Sequence, residues 1–164
     1  MTTRLIILRG NSGSGKTTAA KALREKLGSN TMLISQDVIR REVLKVKDDA
    51  DNPAIELIKR MAEYGNSIGY NVILEGIFSK KKYGIMLEYL INEFQGEAHA
   101  FYFDILFEET LKRHITKPNA HEFGEIEMRE WWKEKDYLNI KEEKFITDKM
   151  SMEQTLNFIY EVVK

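Results

Sequence analysis

The sequence predicts an α/β domain in which a mainly parallel sheet is wrapped by helices, and three observations predict it. Short apolar runs at residues 5–8, 32–34, 72–74 and 100–106 alternate with longer stretches of helical periodicity. The runs are near-continuous rather than alternating, as strands covered on both faces are. The 164 residues, 43% hydrophobic and 31% charged, suffice for one well-filled core, so a single domain over residues 1–164 is expected.

Taken in order, Leu5, Ile6, Ile7 and Leu8 read as a buried strand. A helix follows, since Ala19, Leu23 and Leu27 step at i, i+4 and i+8, and Gly28 is placed to end it in a left-handed conformation. After the second run, Asn52 and Pro53 supply a cap and a first-turn proline for a helix that carries Ala54, Ile58, Met61 and Ala62 on one face. Beyond the third run, Tyr83, Met86, Leu87, Leu90, Ile91 and Phe94 form another stripe, closed by Gln95 and Gly96. Ser151 and Gln154 fit a capping box ahead of Leu156, Ile159 and Val163. Ligands of such sheets sit beyond the carboxyl ends of the strands, and chemistry is sought there.

Composition excludes several classes. With 25 Lys+Arg against 26 Asp+Glu, no global basic field exists to hold long nucleic acid by counterion release. The absence of cysteine removes disulfides, thiolate metal sites and cysteine nucleophiles. Three scattered histidines, His99, His114 and His121, argue against a histidine-built metal site. The early apolar run is far shorter than a signal-peptide core or the ~20 residues of a membrane span, so a cytoplasmic protein is expected.

After the first strand stand Gly10, Asn11, Ser12, Gly13, Ser14, Gly15, Lys16 and Thr17, matching GxxxxGK[ST] at every fixed position. Four fixed positions coincide by chance in roughly 1% of chains this long, and the strand before and helix after lower that further. A loop in this context aims successive backbone N–H groups and a helix's positive end at a phosphate chain. Lys16 can follow charge on the β- and γ-phosphates, and the Thr17 hydroxyl is a Mg²⁺ ligand of the right hardness. A dinucleotide fingerprint is excluded, because Thr18 stands where the third glycine belongs.

The rest of the chain discriminates among nucleotide-binding classes. No NKxD guanine motif is present, and the strand at 72–74 ends in the single acid Glu75. The second strand leads into Asp37, Arg40 and Arg41. A phosphoryl acceptor must lose its hydroxyl proton as it attacks, and a carboxylate beside the loop can take it. Asp37 also fits an ordinary helix N-cap, and Arg40 and Arg41 fit either a substrate contact or a solvated helix face.

Residues 10–18 followed by Asp37 and Arg40 resemble the small P-loop kinases that include polynucleotide 5′-hydroxyl kinase, chloramphenicol phosphotransferase, zeta-toxin kinases and uridine kinase-like proteins. The resemblance implies a three-layer α/β/α P-loop fold with a mainly parallel five-stranded sheet. It implies that residues Gly10 to Thr18 hold ATP, that Asp37 activates the acceptor hydroxyl, and that Arg40, with Arg41 and Glu75 beside it, holds substrate. Glu75 equally suits the water shell of the metal or a helix start. A cationic lid at about residues 112–135 is also implied, with Arg113 and Lys117 spaced i, i+4 so that one helical face presents both. Two such cations would neutralise transition-state charge and exclude water. Lys117 stands where family members often carry arginine, which removes bidentate clamping there.

The remaining candidates read more plainly. Lys80, Lys81 and Lys82 suit a solvated helix start, and His121 a surface loop. Trp131 and Trp132 suit packing of a helix against the lid, with base stacking the alternative. The family's adenine cradle would fall at residues 147–150.

The function expected is an ATP- and Mg²⁺-dependent kinase acting on a small-molecule hydroxyl, with Lys16, Asp37, Arg113 and Lys117 carrying the chemistry. A polynucleotide 5′-hydroxyl kinase and a nucleotide-binding regulatory module are the alternatives.

Overall fold

The computed structural model describes residues 2–164. Five strands, β1 (Leu5–Gly10), β2 (Thr31–Ser35), β3 (Asn71–Gly76), β4 (Ala98–Asp104) and β5 (Glu143–Thr147), form one sheet in the order β2-β3-β1-β4-β5. All four pairings are parallel, so the sheet is entirely rather than mainly parallel. The helices are α1 (Lys16–Leu27), α2 (Gln36–Val38), α3 (Ala54–Ser67), α4 (Lys80–Glu93), α5 (Phe107–Ile115), α6 (Glu125–Trp131) and α7 (Met152–Val163). Among the described residues no helix is long and apolar enough to cross a membrane.

The three layers follow from the twofold repeat of a strand. Leu5 and Ile7 point into a core shared with Ile58 of α3 and Leu87 of α4, whereas Ile6 and Leu8 point into another shared with Leu23 of α1 and Ile159 of α7. Every residue of β1 is therefore buried, as its continuous apolar run requires. Register then aligns the functional edge: Leu8 and Ser35 both pair with Glu75, and Gly10 pairs with Phe103.

Local capping agrees with the sequence at several ends and differs at others. Asn52 Oδ1 accepts from the Ala54 N–H at 3.0 Å, and Ser151 and Gln154 form the reciprocal box. Gly28 does take a positive φ of 82° and returns its N–H to the Arg24 carbonyl, but with ψ of −155° it is extended rather than left-handed helical; the following reversal falls to Asn30 at φ 62°. The cap of α2 is Ser35, whose Oγ lies 3.5 Å from the Val38 nitrogen, and this places Asp37 inside the first turn instead of at the N-cap. Beyond it the chain widens into a π-helical turn over Ile39–Val43. Lys82 is not merely solvated, because its Nζ pairs with Asp48 Oδ2 at 3.3 Å.

One fully buried cation ties the layers together. Arg9, the residue before Gly10, is 0% exposed and uses all five N–H groups. Nε and Nη2 donate to the Phe78 carbonyl at 3.1 and 3.0 Å, Nη1 to the Asp136 carbonyl and Glu143 Oε1 at 2.8 and 3.0 Å, and Nη2 also to Asp136 Oδ2 at 2.9 Å. Asp136 Oδ2 in turn accepts from the Lys80 N–H opening α4, and Glu143 Oε2 from the Leu138 N–H. Removing the guanidinium leaves buried carboxylate uncompensated. Arg9→Met is expected to lower the unfolding free energy by about 3–5 kcal/mol in urea titration; a loss below about 1 kcal/mol would contradict this role.

Candidate functional site

The loop between β1 and α1 sits at the carboxyl edge of the central strand, with φ of 148° at Gly10, 80° at Gly13 and 99° at Gly15. Gly13 is demanded twice over. Its positive φ strains any side chain, and a Cβ there would lie 2.6 Å from the Thr110 carbonyl of α5. The loop is thus closed from behind by α5.

Lys16 spans the loop, donating from Nζ to the Asn11 carbonyl at 2.7 Å and approaching Ser14 Oγ at 3.3 Å. Burial lowers its pKa from 10.5 to about 8; Glu75 and Asp37 oppose that shift and Lys117 adds to it. Lys117 is itself lowered, first by burial, with Glu75 and Asp37 again pulling upward. Glu75 and Asp37 act on both lysines, and Lys117 acts on Lys16, so these four side chains form one electrostatic cluster. Lys117 reaches it from a bend after α5 rather than from the helix face expected, since α5 ends at Ile115.

The Thr17 hydroxyl donates to Glu75 Oε2 at 3.2 Å, linking the first turn of α1 to the end of β3. Glu75 is 3% exposed. A hydroxyl and a carboxylate side by side are hard oxygen donors of the kind Mg²⁺ takes. Arg113 lies over the loop, its Nη1 donating to the Ser14 carbonyl at 2.6 Å and its Nε to Glu109 Oε1 at 3.2 Å. Ser12 is half-buried in the loop, and Thr17 and Thr18 are exposed on the opening turn of α1.

On the other side of the edge, Asp37 meets both arginines: Oδ1 lies 3.2 Å from Arg40 Nη2 and Oδ2 3.7 Å from Arg41 Nη1. Arg40 also donates from Nη1 to the Val46 carbonyl at 3.2 Å, while Arg41 is exposed. His121 lies exposed in a turn, apart from these groups. Trp131 packs edge-on against Phe123 and Trp132 against Phe107, the packing reading of that pair. Thr147 ends β5 and its carbonyl accepts from the Met150 N–H.

Two features carry no local signal in the sequence. Asn11 grips Lys133 through both ends of its amide, donating to the Lys133 carbonyl at 2.7 Å and accepting from its N–H at 2.8 Å. The loop residue thereby fastens the chain that returns from α6. Met152, at the start of α7, would meet a Cβ on Gly15 at 3.3 Å, so it too borders the loop. The partners lie more than a hundred residues away in sequence, beyond the reach of periodicity or spacing.

An anion-binding loop at the head of the central strand of a parallel 2-3-1-4-5 sheet defines a P-loop nucleotide-binding protein with the fold of small kinases. Residues 5–135 match the AAA domain family (AAA_33), and the chain belongs to that family. No curated protein matches the sequence. Among solved structures, the chain is similar to the APS kinase of Mycobacterium tuberculosis in complex with AMPPNP and APS, at 16% identity and a TM-score of 0.69, covering 99% of this chain and 98% of that one. A gluconokinase from Sinorhizobium meliloti matches at 14% identity and a TM-score of 0.66, covering 99% and 92%. A sugar kinase from Janibacter matches at 16% identity and a TM-score of 0.65, covering 95% and 91%. At these identities the likeness is one of fold.

Burial of Lys16 has a measurable consequence. Between pH 8 and 10.5 the unfolded chain holds a proton on this lysine that the folded protein has released, so stability must rise with pH across that window. The unfolding free energy of the protein relative to Lys16→Met is expected to increase by roughly 2 kcal/mol from pH 8 to 10 in urea titrations. A difference that stays flat or falls would contradict the burial of a charged amine there.

Proposed function

We propose that the protein is an ATP- and Mg²⁺-dependent kinase that transfers the γ-phosphoryl group to a hydroxyl of a small molecule. The observation that carries this reading is the convergence of Lys16, Asp37, Glu75 and Lys117 beside the P-loop at one sheet edge. Loop amides from Gly10 to Thr18 and Lys16 grip the triphosphate. Thr17 and Glu75 supply the oxygen donors that would hold Mg²⁺ brought in with the nucleotide, which would neutralise phosphate charge. Asp37 takes the proton of the acceptor hydroxyl, whose oxygen forms the new P–O bond while the bond to the β,γ-bridging oxygen breaks and ADP leaves.

Arg113 and Lys117 face the charge that spreads over the transferred group. Residues 112–135 act as the lid, hinged between Arg113 at the loop and Lys133 on Asn11, within a single domain spanning the chain. Arg40 and Arg41, paired with Asp37 in the resting protein, line the acceptor side. The balanced charge of the chain favours a small acceptor over a long polynucleotide. The kinase structures that share the fold act on small molecules by their descriptions, APS and sugars among them, and this supports the same scale of acceptor here.

The test is an ADP-release screen over nucleosides, sugars, sugar nucleotides, antibiotics and 5′-hydroxyl oligonucleotides. An acceptor that accelerates ADP release is expected, and Asp37→Asn is expected to lower kcat by about 10²–10⁴ with MgATP affinity within about twofold. Equal turnover in the two proteins would remove Asp37 from the mechanism, and ADP release that no acceptor stimulates would favour a nucleotide-binding regulatory module.

A further inference from the structure

The residue before Asp37 is a buried glutamine whose orientation is dictated by its neighbours. Gln36 is 3% exposed and donates from Nε2 to the Tyr83 hydroxyl at 2.9 Å. That phenol has one proton, and it goes to Asp48 Oδ1 at 2.6 Å. Burial, and then Asp48, push the Tyr83 phenol up to about 12, so the proton stays on it at neutral pH. The phenolic oxygen therefore only accepts from its two remaining partners. One is Asn52 Nδ2 at 3.2 Å, fixed in turn because Asn52 Oδ1 is taken by the Ala54 N–H. The other must be the amino end of Gln36. Lys82 holds the far side of Asp48 through Oδ2 at 3.3 Å, closing the relay.

With its nitrogen committed, Gln36 Oε1 must face away from Tyr83. Among the described residues no group donates to it, yet it is not one of their enclosed orphan atoms, which are Thr31 Oγ1, Arg40 Nε, Ser79 Oγ and His114 Nδ1. The carbonyl oxygen is thus the part of this buried side chain that opens outward. It does so over Gly76, where a Cβ would stand 3.0 Å from Oε1 and 2.7 Å from Gln36 Cβ. Any larger residue at 76 would displace the glutamine. Gln36 directly follows β2 and Gly76 closes β3, so the amide sits at the carboxyl edge of the sheet, one residue from Asp37 in the chain.

We propose that Gln36 reads the acceptor: its Oε1 accepts a hydrogen bond from a second hydroxyl of the molecule whose first hydroxyl faces Asp37. The acceptor is then a polyol, a sugar or nucleoside bearing hydroxyls on neighbouring carbons. An amide oxygen held as a pure acceptor selects a neutral donor, and an anionic group would meet it with repulsion. A buried acceptor left unpaired by a deoxy substrate carries a desolvation cost, and this makes such a contact discriminating. Tyr83 and Asp48 act at one remove, as positioning residues for the amide.

The inference rests on the kinase reading, and the experiment separates the two. Turnover is measured with D-ribose and 2-deoxy-D-ribose, with uridine and its 2′-deoxy and 3′-deoxy analogues, with gluconate and 3-deoxygluconate, and with ethanol and choline as single-hydroxyl acceptors. The wild type is expected to prefer one polyol over its monodeoxy partner by roughly tenfold or more in kcat/KM, mostly through KM. Gln36→Met, of similar volume, is expected to shrink that preference to about threefold or less, with the polyol as the substrate that loses. Tyr83→Phe, which leaves the glutamine in place but frees its amide to turn, is expected to fall between. Discrimination surviving in Gln36→Met, no discrimination in the wild type, or preference for single-hydroxyl acceptors would overturn the assignment and leave the kinase reading intact. Binding of MgATP without turnover of any acceptor would overturn both.

Discussion

Everything at the functional edge is referred to one buried guanidinium. Arg9 stands a single residue before the P-loop, and its five donors reach the β3–α4 connection, the chain after α6 and the start of β5. A buried ion pair of this kind adds little net stability over an apolar packing, but breaking it is costly, so it specifies position more than it strengthens the fold. The position specified is that of the P-loop relative to the chain that returns after α6. Asn11, two residues on, repeats the link by clasping Lys133, and Tyr137 adds a third tie through Asp104 at 2.6 Å. Residues 133–143 are anchored by these contacts.

The second constraint is electrostatic. Lys16 and Lys117 are each held below their ordinary pKa by burial, while the buried Glu75 and the exposed Asp37 pull them back. In the proposed kinase a polyphosphate would replace solvation that the amines lack through burial instead of competing with water. Asp37 belongs to the field of this cluster but keeps its direct contacts with Arg40 and Arg41, on the side where an acceptor would arrive. In the proposed kinase Gly13, Lys16 and Thr17 form the nucleotide side, and Gln36, Asp37 and Arg40 the acceptor side.

Much of this was legible in the residues. The continuous apolar strands, the P-loop and the starts of α3 and α7 are written locally, as runs, caps and periodicity, and those elements formed as expected. β5 has no apolar run to reveal it, because Glu143 at its head serves Arg9 and Phe145 is half exposed at the sheet's edge. The helix expected to join Arg113 to Lys117 ends two residues short, at Ile115, and a bend delivers Lys117 to the cluster instead. Arg9 passed unnoticed because a lone cation at a strand's end has no local pattern; its partner Asp136 is 127 residues away. Gln36 carries no local signal for the same reason, its orientation depending on Tyr83 of α4 and on Asp48 and Asn52 in the connection before α3.

The claim beneath the whole account is that the loop opening α1 grips a nucleoside triphosphate through its amides and Lys16. Isothermal calorimetry with MgATP near pH 7, where Lys16 carries its charge, tests it most directly. The account predicts saturable uptake of a single equivalent that weakens at least about tenfold in Lys16→Met, in line with the loss of a charge-assisted contact. Absence of binding by ATP and GTP alike, or equal affinity in the two proteins, would contradict it.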